Sequence, residues 1–439
     1  MTVYTIREFE SFCEKGKNKS NKKGIHSLPS KTFKELEEFI LSNKNDSAQA
    51  IELMGISAKK DVGKVITAKN YVGVIKMNSG ETIEILPKIY SKIKDDENAI
   101  KTKRLVVKML RTVKNMPFKQ MKNADISTDK MNVLEIFIRM FIEETFSIVK
   151  KGIKSSYETV EENLNVYKGK LIFSQHVRHN AAHKERCYVE YDVFTVNRAE
   201  NRLLKSTLKY LYRCSSSLKN KNDIKSLLEY FTGVDESKNY DADFSKCVKD
   251  RSTKDYENAL TWSKVFLNGK SFTSFSGSAV SAALLFPMEI LYESYVAALL
   301  KKRLAGKQYD VHTQHRAYSL FDEFSGRERD VFPLIPDIVV KKKFPENRTI
   351  IMDTKWKILD KSIYNYGISQ ADMYQMFVYS IKYNANKIFL LYPKTDLVNE
   401  NKLIEYKATF ENVDIEVQFI DLFDEHESID KLIEKIKAC

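Results

Sequence analysis

Cysteine, proline and glycine are all scarce in this chain of 439 residues. The five cysteines are widely spaced and never form a CxxC pair, which argues against a disulfide framework and against cysteine-ligated zinc or iron–sulfur sites. With 8 prolines and 14 glycines, the composition is unlike that of collagen or long disordered regions. No apolar run approaches the ~20 residues that a membrane-spanning helix needs. Because the N-terminus also lacks the apolar segment of a signal peptide, we expect a cytoplasmic protein with no membrane partner.

Positive charge is in excess, with a formal net charge of +13. A basic balance favours polyanionic partners, and nucleic acid is the commonest of them. The excess is mostly lysine, which a biased genome composition also produces. Charge alone therefore leaves nucleic-acid binding open.

Hydrophobic periodicity divides the chain into three parts. A period of two over residues 51–90, with NSGE as a turn, predicts a small β-rich unit within an N-terminal region of residues 1–155. Residues 152–195 are mixed and partly extended, and helical spacing begins at residue 197, so we expect residues 156–275 to be a mostly helical connecting region. The third part is a domain of residues 276–439. The chain is therefore predicted to be α/β, or α+β overall.

The third part has the clearest order of elements. We predict a helix, three strands, a second helix and two further strands, at residues 279–305, 309–322, 333–342, 348–359, 368–384, 387–393 and 415–422. Three consecutive strands favour antiparallel hairpins, and the strand–helix–strand end favours a parallel crossover. The predicted sheet is therefore mixed and flanked by helices.

Two of the predicted strands carry acids inside apolar runs. PLIPDIVVKK contains Asp337, and RTIIMDTKWKIL contains Asp353 with Lys355 two residues later. A hairpin would place Asp337 beside Asp353, and the i, i+2 spacing puts Lys355 on the same face as Asp353. Adjacent carboxylates repel each other unless a hard divalent cation such as Mg²⁺ binds between them. Such a site suits phosphodiester hydrolysis, in which Lys355 orients the water or stabilises the developing charge.

The pattern Pro336-Asp337, fifteen intervening residues and Asp353-Thr354-Lys355 resembles the PD-(D/E)xK nuclease signature. The alternative is a plain surface ion pair between Asp353 and Lys355. The resemblance implies a restriction-endonuclease-like core, which agrees with the predicted order of elements.

In that superfamily an acid on the preceding helix often helps to bind metal. Glu289 and Glu293 lie four residues apart on the predicted helix, and Glu293 is preferred because its neighbours are apolar. The metal ligands implied by the resemblance are Asp337, Asp353, Glu293 and the backbone carbonyl of Thr354.

Some relatives also carry a Gln-x-x-x-Tyr pair on the helix after the lysine. Gln375 with Tyr379 is the preferred match here, although Gln370 with Tyr374 also fits.

Basic and aromatic residues surround the same hairpin. Lys341, Lys342 and Lys343 are expected near its tip, either as backbone-phosphate contacts or as a soluble turn. Trp356 should face away from the acids, so we expect it in the core.

Longer stretches give a closer resemblance. PMEILYESYV, PDIVV, IIMDTKWK, ISQADMYQMFVYSIKY and FLLYP together resemble the McrC family, the nuclease subunit of McrBC-type modification-dependent restriction systems. VGVIKMNSGETIEILPKI and YDVFTVNRAENRLLKSTLKYL extend the likeness upstream. It covers most of the chain from about residue 60 and is densest over residues 284–393. The first ~50 residues match nothing recognised.

The McrC resemblance implies function. Residues 1–155 would bind a hexameric, McrB-like AAA+ GTPase and stimulate it, while residues 276–439 would cut double-stranded DNA with Mg²⁺ in antiviral defence. Recognition of 5-methylcytosine would reside in the partner. The chain has no GxxxxGK[ST] loop, so we expect it to bind no nucleotide itself. A stand-alone nuclease and an adaptor that activates the motor without cutting are the alternatives.

Overall fold

The computed structural model contains two compact units, Met1–Val133 with Ser276–Cys439, and Leu134–Phe275. The N-terminal and C-terminal parts thus share one unit, which differs from the predicted three-part division. The structure describes residues 2–18, 22–43, 54–89, 95–113, 132–247, 253–267, 280–306, 308–322, 330–343, 348–385, 387–395, 404–407 and 413–438. Residues 114–131 of the predicted N-terminal region lie outside these ranges.

The elements are numbered in chain order within the described residues. The helices are α1 (Ser30–Asn43), α2 (Asp95–Leu110), α3 (Val133–Lys151), α4 (Phe173–Asn180), α5 (Ala199–Cys214), α6 (Leu218–Tyr230), α7 (Tyr240–Lys246), α8 (Glu257–Leu267), α9 (Met288–Arg303), α10 (Gln370–Tyr383) and α11 (Glu425–Ala438). The strands are β1 (Val3–Arg7), β2 (Ser11–Glu14), β3 (Ile25–Leu28), β4 (Met54–Lys59), β5 (Gly63–Ala68), β6 (Tyr71–Met77), β7 (Thr82–Leu86), β8 (Ser156–Leu164), β9 (Lys170–Leu171), β10 (Cys187–Thr195), β11 (Val280–Pro287), β12 (Tyr309–Thr313), β13 (Tyr318–Asp322), β14 (Asp330–Leu334), β15 (Ile338–Lys342), β16 (Arg348–Thr354), β17 (Lys387–Pro393), β18 (Ile404–Lys407) and β19 (Asp414–Ile420).

Two four-stranded sheets form the N-terminal part of the first unit. The predicted β-rich region is confirmed as β4 to β7, and β6 and β7 are antiparallel across the expected turn. The strands β1 to β3, which the sequence analysis did not identify, join them: β1 runs parallel to β7, and β2 pairs with β5 and β3. These pairings integrate β1, β2 and β3 in the two sheets.

A strand from the C-terminal part completes one of these sheets. β11 lies antiparallel to β6, where a Cβ on Gly73 would meet the carbonyl oxygen of Leu284 at 2.0 Å. Only glycine allows this close approach at its φ of 140°. The predicted helix 279–305 is therefore wrong at its start, because residues 280–287 are extended and the helix begins at Met288.

The C-terminal part contains a six-stranded sheet in the order β12-β15-β16-β17-β19-β18. β12, β15 and β16 are antiparallel neighbours, whereas β16, β17 and β19 run parallel. The predicted mixed sheet and its hairpin are confirmed, although the bend at 344–347 lies outside the described residues.

Two predicted strands are each split in the structure. Gln314 adopts a left-handed φ of 50°, so the chain turns and 309–322 becomes β12 and β13. Pro336 interrupts 333–342, because proline cannot donate to a ladder, and separates β14 from β15. β13 and β14 form a separate two-stranded ribbon.

The predicted helix 368–384 is confirmed as α10. Its first turn is capped by the Ser369 hydroxyl, which accepts from the backbone N–H of Asp372, and it ends at Asn384 in the left-handed conformation. Met376 and Tyr379 of α10 pack with Val339, Ile351 and other apolar side chains of the sheet in one buried cluster. This packing fixes α10 beside β15 and β16.

The second unit combines helices with a three-stranded sheet in the order β8-β10-β9. α5 is its buried centre, since Leu203, Leu204, Leu208 and Leu211 are fully covered. The region predicted as mostly helical therefore begins with a sheet. Within the described ranges, every helix is too short or too polar to span a bilayer.

Candidate active site

The two acids meet where β15 begins and β16 ends. Ile338 pairs with Met352, so one further step of the antiparallel register sets Asp337 opposite Asp353. β16 also runs parallel to β17, and the carboxyl ends of such strands are common places for ligand sites in α/β sheets. The hairpin thus brings together residues that are sixteen positions apart.

Asp337 is held in a fixed orientation by Thr354. Its Oδ2 accepts hydrogen bonds from the backbone N–H of Thr354 at 2.8 Å and from the Thr354 hydroxyl at 2.6 Å. Burial raises the pKa of Asp337, although these two hydrogen bonds oppose the shift. Both hydrogen bonds that described residues donate to Asp337 reach Oδ2, which leaves Oδ1 available to another ligand.

Asp353 is almost completely buried, with 2% of its surface exposed. Burial, and next the neighbouring Asp337 carboxylate, raise the pKa of Asp353 to about 7. Lys355 Nζ lies 2.7 Å from Asp353 Oδ2 and is its charge partner. The same ammonium also acts on the Asp337 carboxylate, so one cation faces two neighbouring carboxylates. Such a pair of acids is short of positive charge, which favours binding of a further cation.

Lys355 is surrounded by acceptors. Beside Asp353, its Nζ lies 3.6 Å from Asp372 Oδ1 and donates to Gln375 Oε1 at 3.2 Å. Burial lowers the pKa of Lys355, but the carboxylates of Asp353 and Asp372 outweigh it and the net pKa is raised. The lysine is therefore a fixed cation at the site.

The two candidate Gln–Tyr pairs of α10 differ in their surroundings. Gln375 contacts Lys355 and donates its amide to the Tyr379 hydroxyl at 2.8 Å. Gln370 donates to Tyr374, whose ring is exposed. Burial raises the pKa of Tyr379 to about 12, so its hydroxyl stays neutral.

Asp372 is a site residue that the sequence analysis missed. It lies one turn before Gln375 on α10, in the first helical turn, where acids are common because of the helix dipole. The available signal was its i, i+3 spacing to Gln375, which puts both side chains on one helix face.

The two glutamates of α9 point to different neighbours. Glu293 Oε1 accepts from the Gln314 amide at 2.6 Å, and the backbone N–H of Gln314 donates to the Asp337 carbonyl at 3.0 Å. Glu289 accepts from Asn70, at the N-terminal sheet. Glu293 thus reaches the site through Gln314, and Glu289 does not. The carbonyl of Thr354 remains a predicted ligand.

The three lysines of the hairpin lie away from the acids. Lys341 and Lys342 are four and five residues along β15 from Asp337, about 13 Å or more at ~3.3 Å per residue. Lys343 pairs with Asp310 at 2.7 Å. They remain predicted DNA contacts.

Trp356 is in the core, as predicted, with 2% of its surface exposed. Its indole N–H donates to the Glu8 carboxylate at 3.1 Å, and its ring packs on Tyr292 at 5.4 Å between centroids. Lys88 donates to the Trp356 carbonyl at 2.9 Å. The segment that follows β16 is thus anchored to residues of the N-terminal part of the unit.

The donor set fits a magnesium ion. Asp337 and Asp353 supply hard oxygen atoms, and a cation would balance the charge of two carboxylates that share one ammonium. No group of three His, Cys, Asp or Glu side chains in the described part of the chain is arranged to hold a metal. Mg²⁺ does not need three such side chains, because it binds through one or two carboxylates and retains several waters.

Comparisons with known proteins indicate the family of the chain. The family described as "McrBC 5-methylcytosine restriction system component" matches residues 66–393. No curated protein matches the sequence.

Two solved structures are similar. A chain of the refined half-complex from a tetradecameric assembly of Thermococcus gammatolerans McrB AAA+ hexamers with bound McrC superposes with a TM-score of 0.69 at 17% identity, covering 99% of this chain and 100% of that one. A chain of the Thermococcus gammatolerans McrBC complex gives a TM-score of 0.48 at 16% identity over 70% of this chain and 89% of that one. The first likeness shows a shared fold over the full length. By the family match, this chain belongs to the McrBC 5-methylcytosine restriction system component family.

Proposed function

We propose that this chain is the Mg²⁺-dependent DNA endonuclease subunit of a McrBC-type restriction complex. One observation carries the proposal: the neighbouring carboxylates of Asp337 and Asp353 share one ammonium, that of Lys355, so the site is one positive charge short. A structural ion pair needs no second carboxylate. The order of strands and helices around the hairpin supports a PD-(D/E)xK nuclease core.

Each residue has a distinct role in the proposed hydrolysis. Asp337 and Asp353 would hold Mg²⁺, which when bound polarises the phosphate and lowers the pKa of a water. Thr354 keeps the Asp337 carboxylate oriented. The Lys355 ammonium stabilises the negative charge that develops on the phosphate oxygens. The water oxygen bonds to phosphorus, the P–O bond to the leaving strand breaks, and the proton of the water ends on the leaving oxygen or in solvent.

We further propose that the chain acts with an AAA+ GTPase ring. The similar solved chain belongs to an assembly of McrB AAA+ hexamers with bound McrC, and its fold covers this chain from end to end. The partner would hydrolyse GTP and recognise DNA containing 5-methylcytosine. The anchoring of Trp356 by Glu8 and Lys88 gives the N-terminal sheets a direct connection to the catalytic strand.

Reconstitution tests the proposal. The full chain, an McrB-like ring partner, GTP and Mg²⁺ are mixed with methylated plasmid DNA, in parallel with Asp337→Asn. We expect cutting by the wild type, none by the variant, and GTP hydrolysis stimulated equally by both. Stimulation without cutting by either protein would favour an adaptor, and cutting without partner or GTP would favour a stand-alone nuclease.

A further inference from the structure

Asp372 lies between two lysines next to the catalytic hairpin. Its Oδ2 is 2.8 Å from Lys357 Nζ, and its Oδ1 is 3.6 Å from Lys355 Nζ. Only 12% of the Asp372 side chain is exposed. Both oxygen atoms of this carboxylate therefore face ammonium groups.

The position of Asp372 is set by the start of α10. The Ser369 hydroxyl accepts from the Asp372 backbone N–H at 3.2 Å and fixes the first helical turn. Gln375 lies one turn later on the same face and contacts Lys355 as well. α10 thus presents two acceptors to Lys355 that do not belong to the sheet.

Two cations compete for Asp353. Lys355 Nζ occupies Oδ2 at 2.7 Å, and the proposed Mg²⁺ requires oxygen atoms of the same carboxylate. An ammonium and a divalent cation on one carboxylate repel each other strongly at such distances in a buried site. Lys355 must therefore have another anion to hold it when the cation binds.

We propose that Asp372 is a positioning residue that holds the Lys355 ammonium at the site when the Asp353 carboxylate takes a divalent cation. Asp372 acts through Lys355 and touches neither cation nor DNA. The inference rests on the proposed metal site. It explains how Lys355 can stay in place both before and after the site binds a divalent cation. Gln375, a neutral hydrogen-bond acceptor, helps Asp372 to hold the Lys355 ammonium.

Calorimetric titration of the full chain with MgCl₂, without DNA or nucleotide, tests this role. Four proteins are compared: wild type, Asp372→Asn, Lys355→Met and the double variant. With Lys355 present, Asp372→Asn should weaken Mg²⁺ binding about tenfold, because Lys355 then stays on Asp353. Without Lys355, the same substitution should change binding less than about twofold. Equal weakening in both backgrounds, or no weakening with Lys355 present, would overturn the proposal.

Two further variants separate positioning from helix capping. Asp372→Glu keeps the charge and should recover most of the Mg²⁺ affinity, whereas a purely structural role would not distinguish Glu from Asn. Lys357→Met removes the other partner of Asp372 and should leave Mg²⁺ affinity unchanged. Thermal unfolding of each variant checks that the fold is kept.

The same proteins distinguish this inference from the proposed function. Cleavage with the ring partner should show a lower kcat for Asp372→Asn at an unchanged KM for DNA. Wild-type protein that binds Mg²⁺ with the expected coupling but never cuts DNA would refute the nuclease proposal alone. DNA cutting without coupling between Asp372 and Lys355 would refute the positioning role alone, and a wild type that binds no Mg²⁺ would refute both.

Discussion

Two acids are buried in the same six-stranded sheet and have opposite electrostatic surroundings. Glu416 of β19, 4% exposed, pairs with Lys387 at 2.7 Å and with Lys435 of α11, and its pKa is lowered by them against the effect of burial. Asp353 of β16 has one lysine and an opposing carboxylate, and its pKa is raised to about 7. The first acid is neutralised by its own chain, and the second is one positive charge short. That shortage distinguishes a ligand site from a structural ion pair.

A third buried acid shows that a raised pKa is an insufficient criterion. Burial raises the pKa of Glu8 to about 7 as well. Its oxygens, however, accept from the Trp356 indole and from the Lys88 backbone N–H at 3.0 Å. Glu8 is satisfied by these donors and holds two parts of the unit together, whereas Asp353 lies next to a second carboxylate, Asp337, and shares one ammonium with it.

The contrast between Asp353 and Glu416 is tested most strongly by replacing the lysine that pairs with each acid. Lys355→Met should lower the cleavage rate about 10²–10³-fold, as expected for loss of one charge that stabilises a transition state. Lys387→Met should leave cleavage unchanged, because its partner Glu416 belongs to the structural pair. Cleavage assays with the ring partner, GTP and Mg²⁺ measure both. Equal losses of cleavage rate would mean that the Lys355–Asp353 and Lys387–Glu416 ion pairs do not differ in function.

The pH dependence of the free energy of unfolding also distinguishes Asp353 from Glu416, because their pKa values are shifted in opposite directions. Asp353 has a folded pKa of about 7 against an ordinary 3.8, so without cation its contribution to stability is lost as pH rises between these values. Glu416 has a pKa below its ordinary 4.5, so its contribution is lost as pH falls below that value. The free energy of unfolding, measured in EDTA at several pH values, should depend less on pH for Asp353→Asn than for the wild type between pH 4 and 7. An unchanged profile would contradict the raised pKa.

Removing the structural acid should cost stability and leave chemistry intact. Glu416→Gln removes the carboxylate that Lys387 and Lys435 share, and we expect a loss of about 2 kcal/mol in the free energy of unfolding. Urea denaturation measures it. Asp353→Asn at pH 8 should be neutral or stabilising in the same assay, because it removes a buried repulsive charge; destabilisation of similar size would refute the distinction.

Tyr379→Phe should have the smallest effect. It removes one hydrogen bond, from the Gln375 amide, and Gln375 keeps its contact with Lys355. A loss of about 1 kcal/mol corresponds to roughly fivefold in cleavage rate. Single-turnover kinetics resolve this change. A loss as large as that of Lys355→Met would make the tyrosine a direct participant.

Local patterns in the sequence were sufficient to predict the hairpin of β15 and β16 and the two acids that it brings together. Acids inside apolar runs are conspicuous, and the i, i+2 spacing of Asp353 and Lys355 fixes their common face. The α10 helix and strand β17 were predicted for the same reason, since each has its own periodicity. The family resemblance was confirmed by the match over residues 66–393.

Pairings across long stretches of sequence were not predictable. Residues 280–287 are apolar enough for a helix or a strand, and only β6 and Gly73, about two hundred residues earlier, decide for the strand. The strands before residue 30 have only four or five residues each, and the partners of β1 and β2, which are β7 and β5, lie far along the chain. Asp372 escaped notice because its importance comes from a tertiary contact with Lys355.

The most direct test of the central claim is plasmid cleavage by Asp353→Asn beside the wild type, with ring partner, GTP and Mg²⁺. The substitution keeps the shape of the side chain and removes the negative charge that a cation needs. We predict no detectable cutting by the variant, with folding and GTPase stimulation retained. Cutting by Asp353→Asn at the wild-type rate would contradict the account.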